Sequence, residues 1–346
     1  TESPSLIKFE TLIISSLIFL LHFKKDIKLL KNGVFESSFL FLTSIFILVS
    51  LFSSDYYELI TIGIVIFILS DLISTISDIY SEKLKVKIID TPKSVIGLFL
   101  VFLAILIILV LAPIGSLILN EYNFLLELNL LSALEFSLLI TALYSISSKY
   151  VAPFIIPLIA TILIYLLISP INSIDIFAFG IGIIIAGIIV LLSYKVKFLT
   201  LNGAIATFVL ASLIFGLGGI KWSVPIMSFF LLSSILSKIR KNKNSKVELF
   251  FEKSGTRDYL QVAANGGLGG ILVIISALQP SEIWYLVYIA TLSAVCADTW
   301  ATEIGTYNKR NTYSILNFKL AEQGVSGGIS VVGTIGAILG AFVIAL

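Results

Sequence analysis

The sequence predicts an all-α, polytopic integral membrane bundle. Three observations carry that reading. The chain of 346 residues is 58% hydrophobic and only 13% charged. Soluble domains are about 45–50% apolar and about 25% charged. Its mean hydropathy is +1.07. Its apolar runs are far longer than buried strands and match the roughly 20 residues that span a bilayer.

Twelve spans are expected, near 6–23, 35–53, 57–80, 94–119, 128–148, 152–169, 174–193, 203–220, 222–238, 259–278, 282–305 and 326–346. The first has no small-residue cleavage site and leads directly into further spans, so it is not a cleaved signal. The chain starts at Thr1 rather than methionine and stops at Leu346 inside an apolar run, as a processed, trimmed or partial chain would. The pair 203–220 and 222–238 is interrupted by Gly216, Gly218 and Gly219, with Pro225 following. That composition predicts a broken or re-entrant hairpin, tolerated where protein or water covers it.

Charge supports this layout. Of the 23 Lys and Arg, all but Lys8 and Lys221 fall in odd-numbered connections. The even connections carry Asp55, Glu58, Glu121, Glu127, Asp175 and Glu282. The positive-inside rule puts the odd connections in the cytoplasm and the amino terminus outside a cell membrane. Net charge of only +2 gives a nucleic-acid partner no electrostatic support. A single cysteine, Cys296, excludes a disulfide framework and a cysteine metal site. A single histidine, His22, closes the first apolar run as interfacial filler and argues against histidine zinc chemistry or a Ser-His-Asp triad.

Carboxylates inside spans are costly and mark function by default. Asp71 and Asp78 lie in the third span, Glu135 in the fifth, and Asp298 and Glu303 in the eleventh. Glu135, near the outer end of its span, reads as structural. The third and eleventh spans look alike. Asp71 and Asp298 each precede a threonine by four residues and a tyrosine by nine, and each span leads into a basic connection. The next span opens with Lys93-Ser94-Val-Ile-Gly97 in one case and Ser330-Val-Val-Gly333 in the other. This suggests a degenerate internal repeat. Asp298 and Thr302 share a helix face. Asp298 and Glu303 are roughly 140° apart on an ideal helix, so one ion cannot easily take both.

The richest stretch is 253–270. Lys253 and Arg257 lead into Gln261, Asn265, Gly266 and Gly267, with Arg257, Gln261 and Asn265 spaced by four. Such a face can hold phosphate oxygens, with arginine as a bidentate fork. The plainer reading is a packing surface of small residues. A second glycine-rich turn, Gly324-Val-Ser326-Gly327-Gly328-Ile-Ser330, opens the last span at its cytoplasmic end. A helix amino terminus is a ready anion site, although no Walker lysine follows. Carboxylates, cations, amides and a glycine-rich helix start gathered on one side suit a magnesium ion and phosphates.

Four strings carry a resemblance. They are Leu201-Asn-Gly-Ala204, Lys253-x-Gly-x-Arg257-Asp-x-x-Gln261-Val-x-x-Asn265-Gly266, Ala297-Asp-Thr-Trp-Ala-Thr-Glu-Ile-Gly305 and Gly324-Val-Ser-Gly-Gly-Ile-Ser330. Across roughly 195–346 they resemble the transmembrane protein 19 family, which includes the plant and cyanobacterial phytyl-phosphate kinases. The resemblance implies a catalytic half at 195–346 and an enzyme that phosphorylates an isoprenyl monophosphate with CTP or another nucleotide triphosphate, using Mg2+. It implies that Asp298 and Glu303 serve metal or phosphates, with Thr302 beside them. It also implies that Lys253, Arg257, Gln261, Asn265 and Gly266 bind phosphates, and that Gly324, Ser326, Gly327 and Gly328 wrap an anion. The family pattern continues into a further acidic, glycine-bearing segment past the point where this chain ends.

The half at 1–194 is extra, either a degenerate repeat or a lipid-binding half. Its Asp71 span and Lys93-Ser94 turn faintly resemble membrane polyprenol and phytol kinases, which makes Asp71, Asp78 and Lys93 secondary candidates. Two other functions stay open. One is a transporter or flippase of a lipid phosphate or other anion, which should place polar residues on broken helices near mid-bilayer. The other is CMP transfer to a lipid phosphate.

Overall fold

The computed structural model describes residues 34–80, 84–89, 92–119, 128–169, 174–243, 256–307, 311–325 and 327–346. The expected span at 6–23 and candidates Lys253 and Ser326 lie outside the described residues. Packing divides the chain into two compact units, Thr1–Phe177 and Ala178–Leu346.

The first unit holds α1 (Val34–Leu51), α2 (Tyr57–Tyr80), α3 (Val95–Leu119), α4 (Leu130–Ile146) and α5 (Ala152–Ile168). Helix α2 packs against α3 and α5, and α1 against α5. Pro157 inside α5 has no N–H for the carbonyl of Pro153. The buried Ser44 hydroxyl of α1, which donates mainly to the Phe41 carbonyl of its own helix at 2.7 Å, also lies 3.4 Å from the Pro153 carbonyl. A neighbouring helix thus brings a polar group to a carbonyl that lipid could not satisfy.

The second unit holds α6 (Ile176–Lys195), α7 (Leu201–Lys243), α8 (Tyr259–Leu278), α9 (Glu282–Gly305) and α10 (Val331–Ala345). As a straight rod, the 43 residues of α7 would run about 65 Å, twice a bilayer core. The rod is instead broken at Gly219, with φ 61° and ψ −159°, a region essentially reserved for glycine. The two arms fold back on each other. Lys238 lies over the Phe198 ring at 5.6 Å, and Leu210 and Ile226 meet at Gly266. The elbow falls among the glycines that predicted it.

Six helices among the described residues, α2, α3, α6, α7, α8 and α9, are long and apolar enough to cross a membrane, α7 being counted once. Helices α1, α4, α5 and α10 are apolar but shorter. The fold is therefore helical and of membrane type, with six long candidate spans among the described residues. Helix α10 begins at Val331 rather than 326, because the preceding residues turn into a strand. Short strands also fill two loops. β1 (Lys85–Lys87) pairs antiparallel with β2 (Pro92–Ser94), and β3 (Thr312–Ser314) lies between β4 (Leu320–Ala321) and β5 (Gly328–Ile329). At two or three residues each, they are too short to show a period in sequence.

Candidate functional site

Two of the four motif strings meet in one backbone junction that places Arg257. The Arg257 N–H donates to the Phe198 carbonyl at 2.9 Å, and the Thr200 N–H donates to the Arg257 carbonyl at 3.0 Å. Thr200 caps α7: its hydroxyl accepts from the Gly203 N–H at 3.2 Å and donates to the Asn202 side-chain oxygen at 2.5 Å. A Cβ on Gly203 would collide with the Arg257 carbonyl oxygen, so glycine is what lets the chain cross the helix start. Asp258 then caps α8, accepting from the Gln261 N–H at 2.9 Å. Arg257 is therefore fixed at the entrance to α8 rather than on the helix, with Gln261 and Asn265 on its first two turns.

These three side chains line a single cavity inside the second unit, together with Leu210 and Phe215 of one arm of α7 and Met227 of the other. Arg257 is only 9% exposed. Its guanidinium lies 5.4 Å and 5.3 Å from the ring centres of Phe229 and Phe230. Burial pulls its pKa down to about 10, with the Glu303 carboxylate pulling back up. It thus remains a cation at neutral pH. Among the described residues no hydrogen-bond acceptor or ion-pair partner meets the guanidinium, and the Gln261 and Asn265 amides are equally unengaged. A buried cation with no contacting acceptor is costly even with a carboxylate at a distance, and an anionic ligand relieves that cost. Gly266 also lines the cavity, but a Cβ there would collide with the Leu210 side chain, so its smallness serves packing.

Helix α9 separates Asp298 from Glu303, as the 140° spacing predicts. Glu303 turns toward α7, where it accepts from Ser237 Oγ at 2.6 Å and from Arg240 Nε at 2.6 Å. The Arg240–Glu303 pair is largely buried. On the same side, Trp300 Nε1 donates to Ser233 Oγ at 3.2 Å. Gly305 closes on Gly333 of α10. Asp298 is exposed, and its carboxylate has no protein partner among the described residues. Thr302 shares its face, but the Thr302 hydroxyl donates to the Asp298 carbonyl at 3.1 Å. No group of three or more acid, histidine or cysteine side chains is poised for a metal among the described residues. Sequence reasoning missed Arg240 and Ser237. They lie more than sixty residues from Glu303, and no local spacing signals the contact.

The glycine-rich turn spends described amides on itself. The Val325 N–H donates to the Glu322 carbonyl at 3.4 Å and the Gly328 N–H to the Val325 carbonyl at 3.0 Å. Gly324 and Gly327 adopt φ of 95° and 78°. Gln323 Nε2 ties the turn to the Gly305 carbonyl at 2.9 Å. Ser330 caps α10, accepting from the Gly333 N–H at 3.1 Å.

The secondary candidates assemble in the first unit. Lys93 Nζ donates to the carbonyls of Tyr144 at 2.6 Å and Ser147 at 3.3 Å, at the carboxy-terminal end of α4. This is the end where a cation is favoured. Tyr144 Oη donates to Asp71 Oδ1 at 3.3 Å. The Ser94 N–H donates to Asp78 Oδ1 at 2.6 Å, and Ser94 Oγ accepts from the Gly97 N–H at 3.1 Å. Burial lowers the Lys93 pKa to about 8, against the raising effect of Asp78 and Asp71.

The fold and site define a multi-pass helical membrane protein with a buried cationic, amide-bearing cavity. The chain belongs to the family of integral membrane proteins described as DUF92, whose pattern matches residues 184–346. The resemblance carried by the four motifs is thereby borne out. Protein PGR of Arabidopsis thaliana is 30% identical over 171 residues, 45% of this chain and 59% of that protein. A membrane protein of Methanocaldococcus jannaschii is 30% identical over 169 residues, 48% of this chain and 68% of that protein. The chloroplastic Arabidopsis thaliana protein VTE6 is 22% identical over 179 residues, 50% of each. The chain thus spans between half and about two thirds of the length of these relatives. No solved structure matches it.

Proposed function

We propose that this protein acts in prenyl-lipid metabolism as a membrane phosphotransferase, moving the terminal phosphoryl group of CTP or another nucleotide triphosphate onto an isoprenyl monophosphate. A phosphate oxygen of the lipid attacks the terminal phosphorus, the bond to the leaving nucleoside diphosphate breaks, and the lipid leaves as its diphosphate. The observation that carries this reading is the buried Arg257 guanidinium with Gln261 and Asn265, unengaged among the described residues and facing an apolar-walled cavity. Such a set fits an anionic head on an apolar body.

Phosphoryl transfer needs positioning and neutralised charge more than covalent chemistry. Arg257 holds and neutralises phosphate oxygens, and Lys253, four residues before it in sequence, adds a second cation. The exposed Asp298 carboxylate, without a protein partner among the described residues, fits Mg2+, which usually takes one or two carboxylates and completes its shell with water and substrate phosphates. The ion would supply further charge neutralisation on those phosphates. Glu303, with both oxygens engaged, instead holds Arg240 in place.

The Lys and Arg distribution puts this site on the cytoplasmic face, where nucleotide is available. We also place α1, α4, α5, α10 and the two separate arms of α7 as crossings. The elbow of α7 is the one feature that favours a transporter. It lies at a hairpin turn, however, and not at the middle of a span flanking the polar residues.

The test uses the purified full chain in detergent with Mg2+, nucleotide triphosphate labelled at the terminal phosphate, and geranylgeranyl or phytyl monophosphate. Label is expected in the prenyl diphosphate, reduced on the order of 10²-fold or more by Asp298→Asn and by Arg257→Gln. Absence of transfer with every nucleotide, combined with nucleotide-independent movement of lipid phosphate in liposomes, overturns the kinase in favour of transport.

A further inference from the structure

The cavity beside Arg257 runs along α7 and presents an almost wholly apolar surface, with Arg257, Gln261, Asn265 and Thr207 among its lining residues. The antiparallel arms set the order of its walls. Phe198 faces Lys238 at the open end, and Leu210 and Ile226 face each other nearer the elbow. Thr207 lines the same cavity as Phe229, over which Arg257 stacks, and its buried hydroxyl has no hydrogen-bond partner among the described residues. Arg257, Gln261 and Asn265 carry the charged and amide groups of the lining. Toward the elbow the walls are apolar: Leu210, Ala211 and Phe215 on one arm, Ile226 and Met227 on the other. Thr207 to Phe215 is eight residues, or about 12 Å of helix. Phe215 stands four residues before Gly219 and is therefore the last wall residue before the turn. It is held there by α6, because Gly182 of that helix lies against the Phe215–Gly216 step.

We propose that this slot takes the apolar chain of the amphiphile whose anionic head sits at Arg257, and that Ala211 and Phe215 limit how much chain enters. The proposal rests on the anionic-head reading of Arg257 above and adds the determinant of chain length. A small soluble anion would need the charged and amide groups alone. The apolar walls match a ligand that carries hydrocarbon, and a membrane-embedded hairpin is where such a chain arrives. Ala211 is the small residue midway along the slot, and Phe215 closes it. Enlarging the first and trimming the second should shift length preference in opposite directions.

The experiment measures binding without turnover. The full chain in detergent is titrated with isoprenyl monophosphates of one to four isoprene units and with inorganic phosphate, with no nucleotide present. Ligand-induced thermal stabilisation reports affinity. In the wild type, affinity should rise with chain length and then level off. Ala211→Phe should move the plateau to a shorter chain, with a loss on the order of tenfold or more for the longer ligands. Phe215→Ala should move it to a longer one. Ala211→Met provides the same direction of change with a more adaptable side chain, should the phenylalanine variant fail to fold. Arg257→Gln should weaken every length alike.

A length profile unchanged in Phe215→Ala and Ala211→Met overturns the slot while leaving the head site standing. A profile that shifts as expected but is untouched by Arg257→Gln supports the slot and overturns the head assignment. Inorganic phosphate binding as tightly as the longest lipid overturns the slot, because hydrocarbon then contributes nothing.

Discussion

At the scale of single residues, the most consequential contact joins Arg240 to Glu303. Arg240 is buried and Glu303 largely so, and they meet at 2.6 Å. Removing one member of such a pair leaves the other as an uncompensated buried charge, at a cost of about 3–5 kcal/mol, whereas replacing both with apolar residues of similar volume is often neutral. Arg240→Met alone and Glu303→Gln alone should each destabilise the protein by that amount in denaturant unfolding from detergent. The double change to methionine should regain most of the loss. A double variant as unstable as the sum of the singles would mean that Glu303 has another essential partner.

Lys93 makes a prediction in pH. Its folded-state pKa of about 8 lies below its ordinary 10.5. Between those values the unfolded chain keeps a proton that the folded chain has lost, so stability rises with pH across that window and is flat below it. The thermal midpoint should climb from pH 8 to 10, and the climb should vanish in Lys93→Met. An identical profile in the variant would assign the titration elsewhere.

At the scale of elements, glycines decide where α7 bends and what lies against it. Gly219 has open space around it, with nothing within 4 Å of where a Cβ would stand, but adopts φ 61°. Gly219→Ala should therefore cost about 1–3 kcal/mol through backbone strain alone. Gly203→Ala is different, because its Cβ would strike the Arg257 carbonyl. It should lower stability and also weaken anion binding by displacing Arg257, an effect that Gly219→Ala lacks. Equal losses of binding in the two variants would show that the junction does not position the arginine.

The elements were the legible part of this sequence. Helices α2, α8 and α9 occupy 57–80, 259–278 and 282–305 as the apolar runs mark them. The elbow sits within the glycine cluster because glycine alone tolerates that conformation. The site was legible only in part. The four-residue spacing of Arg257, Gln261 and Asn265 led to one cavity, even though Arg257 precedes the helix. What stayed hidden was carried by residues far apart in the chain: the junction of the Asn202-Gly203 and Arg257-Asp258 strings, and Ser237 and Arg240 waiting for Glu303. Periodicity reports which face of a helix is apolar and is silent about which helix meets it.

At the scale of the whole molecule, the contacts within each unit agree with the alternating layout. In the first unit, Ser37 at the start of α1 donates to the Lys149 carbonyl at 3.5 Å. Lys93 between α2 and α3 reaches the Ser147 carbonyl after α4. These contacts join the first, third and fifth connections, all odd. Phe52 and Tyr56, around the second connection, stack on Tyr165 near the end of α5, which leads into the sixth. In the second unit the Thr200–Arg257 junction joins the seventh and ninth connections.

Lys221 is one of only two cations outside the odd set. It stands at the elbow, paired with Glu282 at 2.9 Å and lying over the Tyr285 ring at 4.4 Å. That joins the eighth and tenth connections, both even, and gives the exceptional charge a local partner. None of these contacts ties an odd connection to an even one. The excess of lysine and arginine in the odd set is the basis for proposing that this set faces the cytoplasm. Single cysteines at Lys85 and Lys195 should resist a membrane-impermeant maleimide in intact cells and react once the membrane is opened. Cysteines at Asp55 and Glu282 should react from outside. Cys296 is buried, so the parent protein supplies a quiet background. The reverse pattern would turn the protein over and put Arg257 on the face without nucleotide, and a mixed pattern within one set would mean that a span has been miscounted.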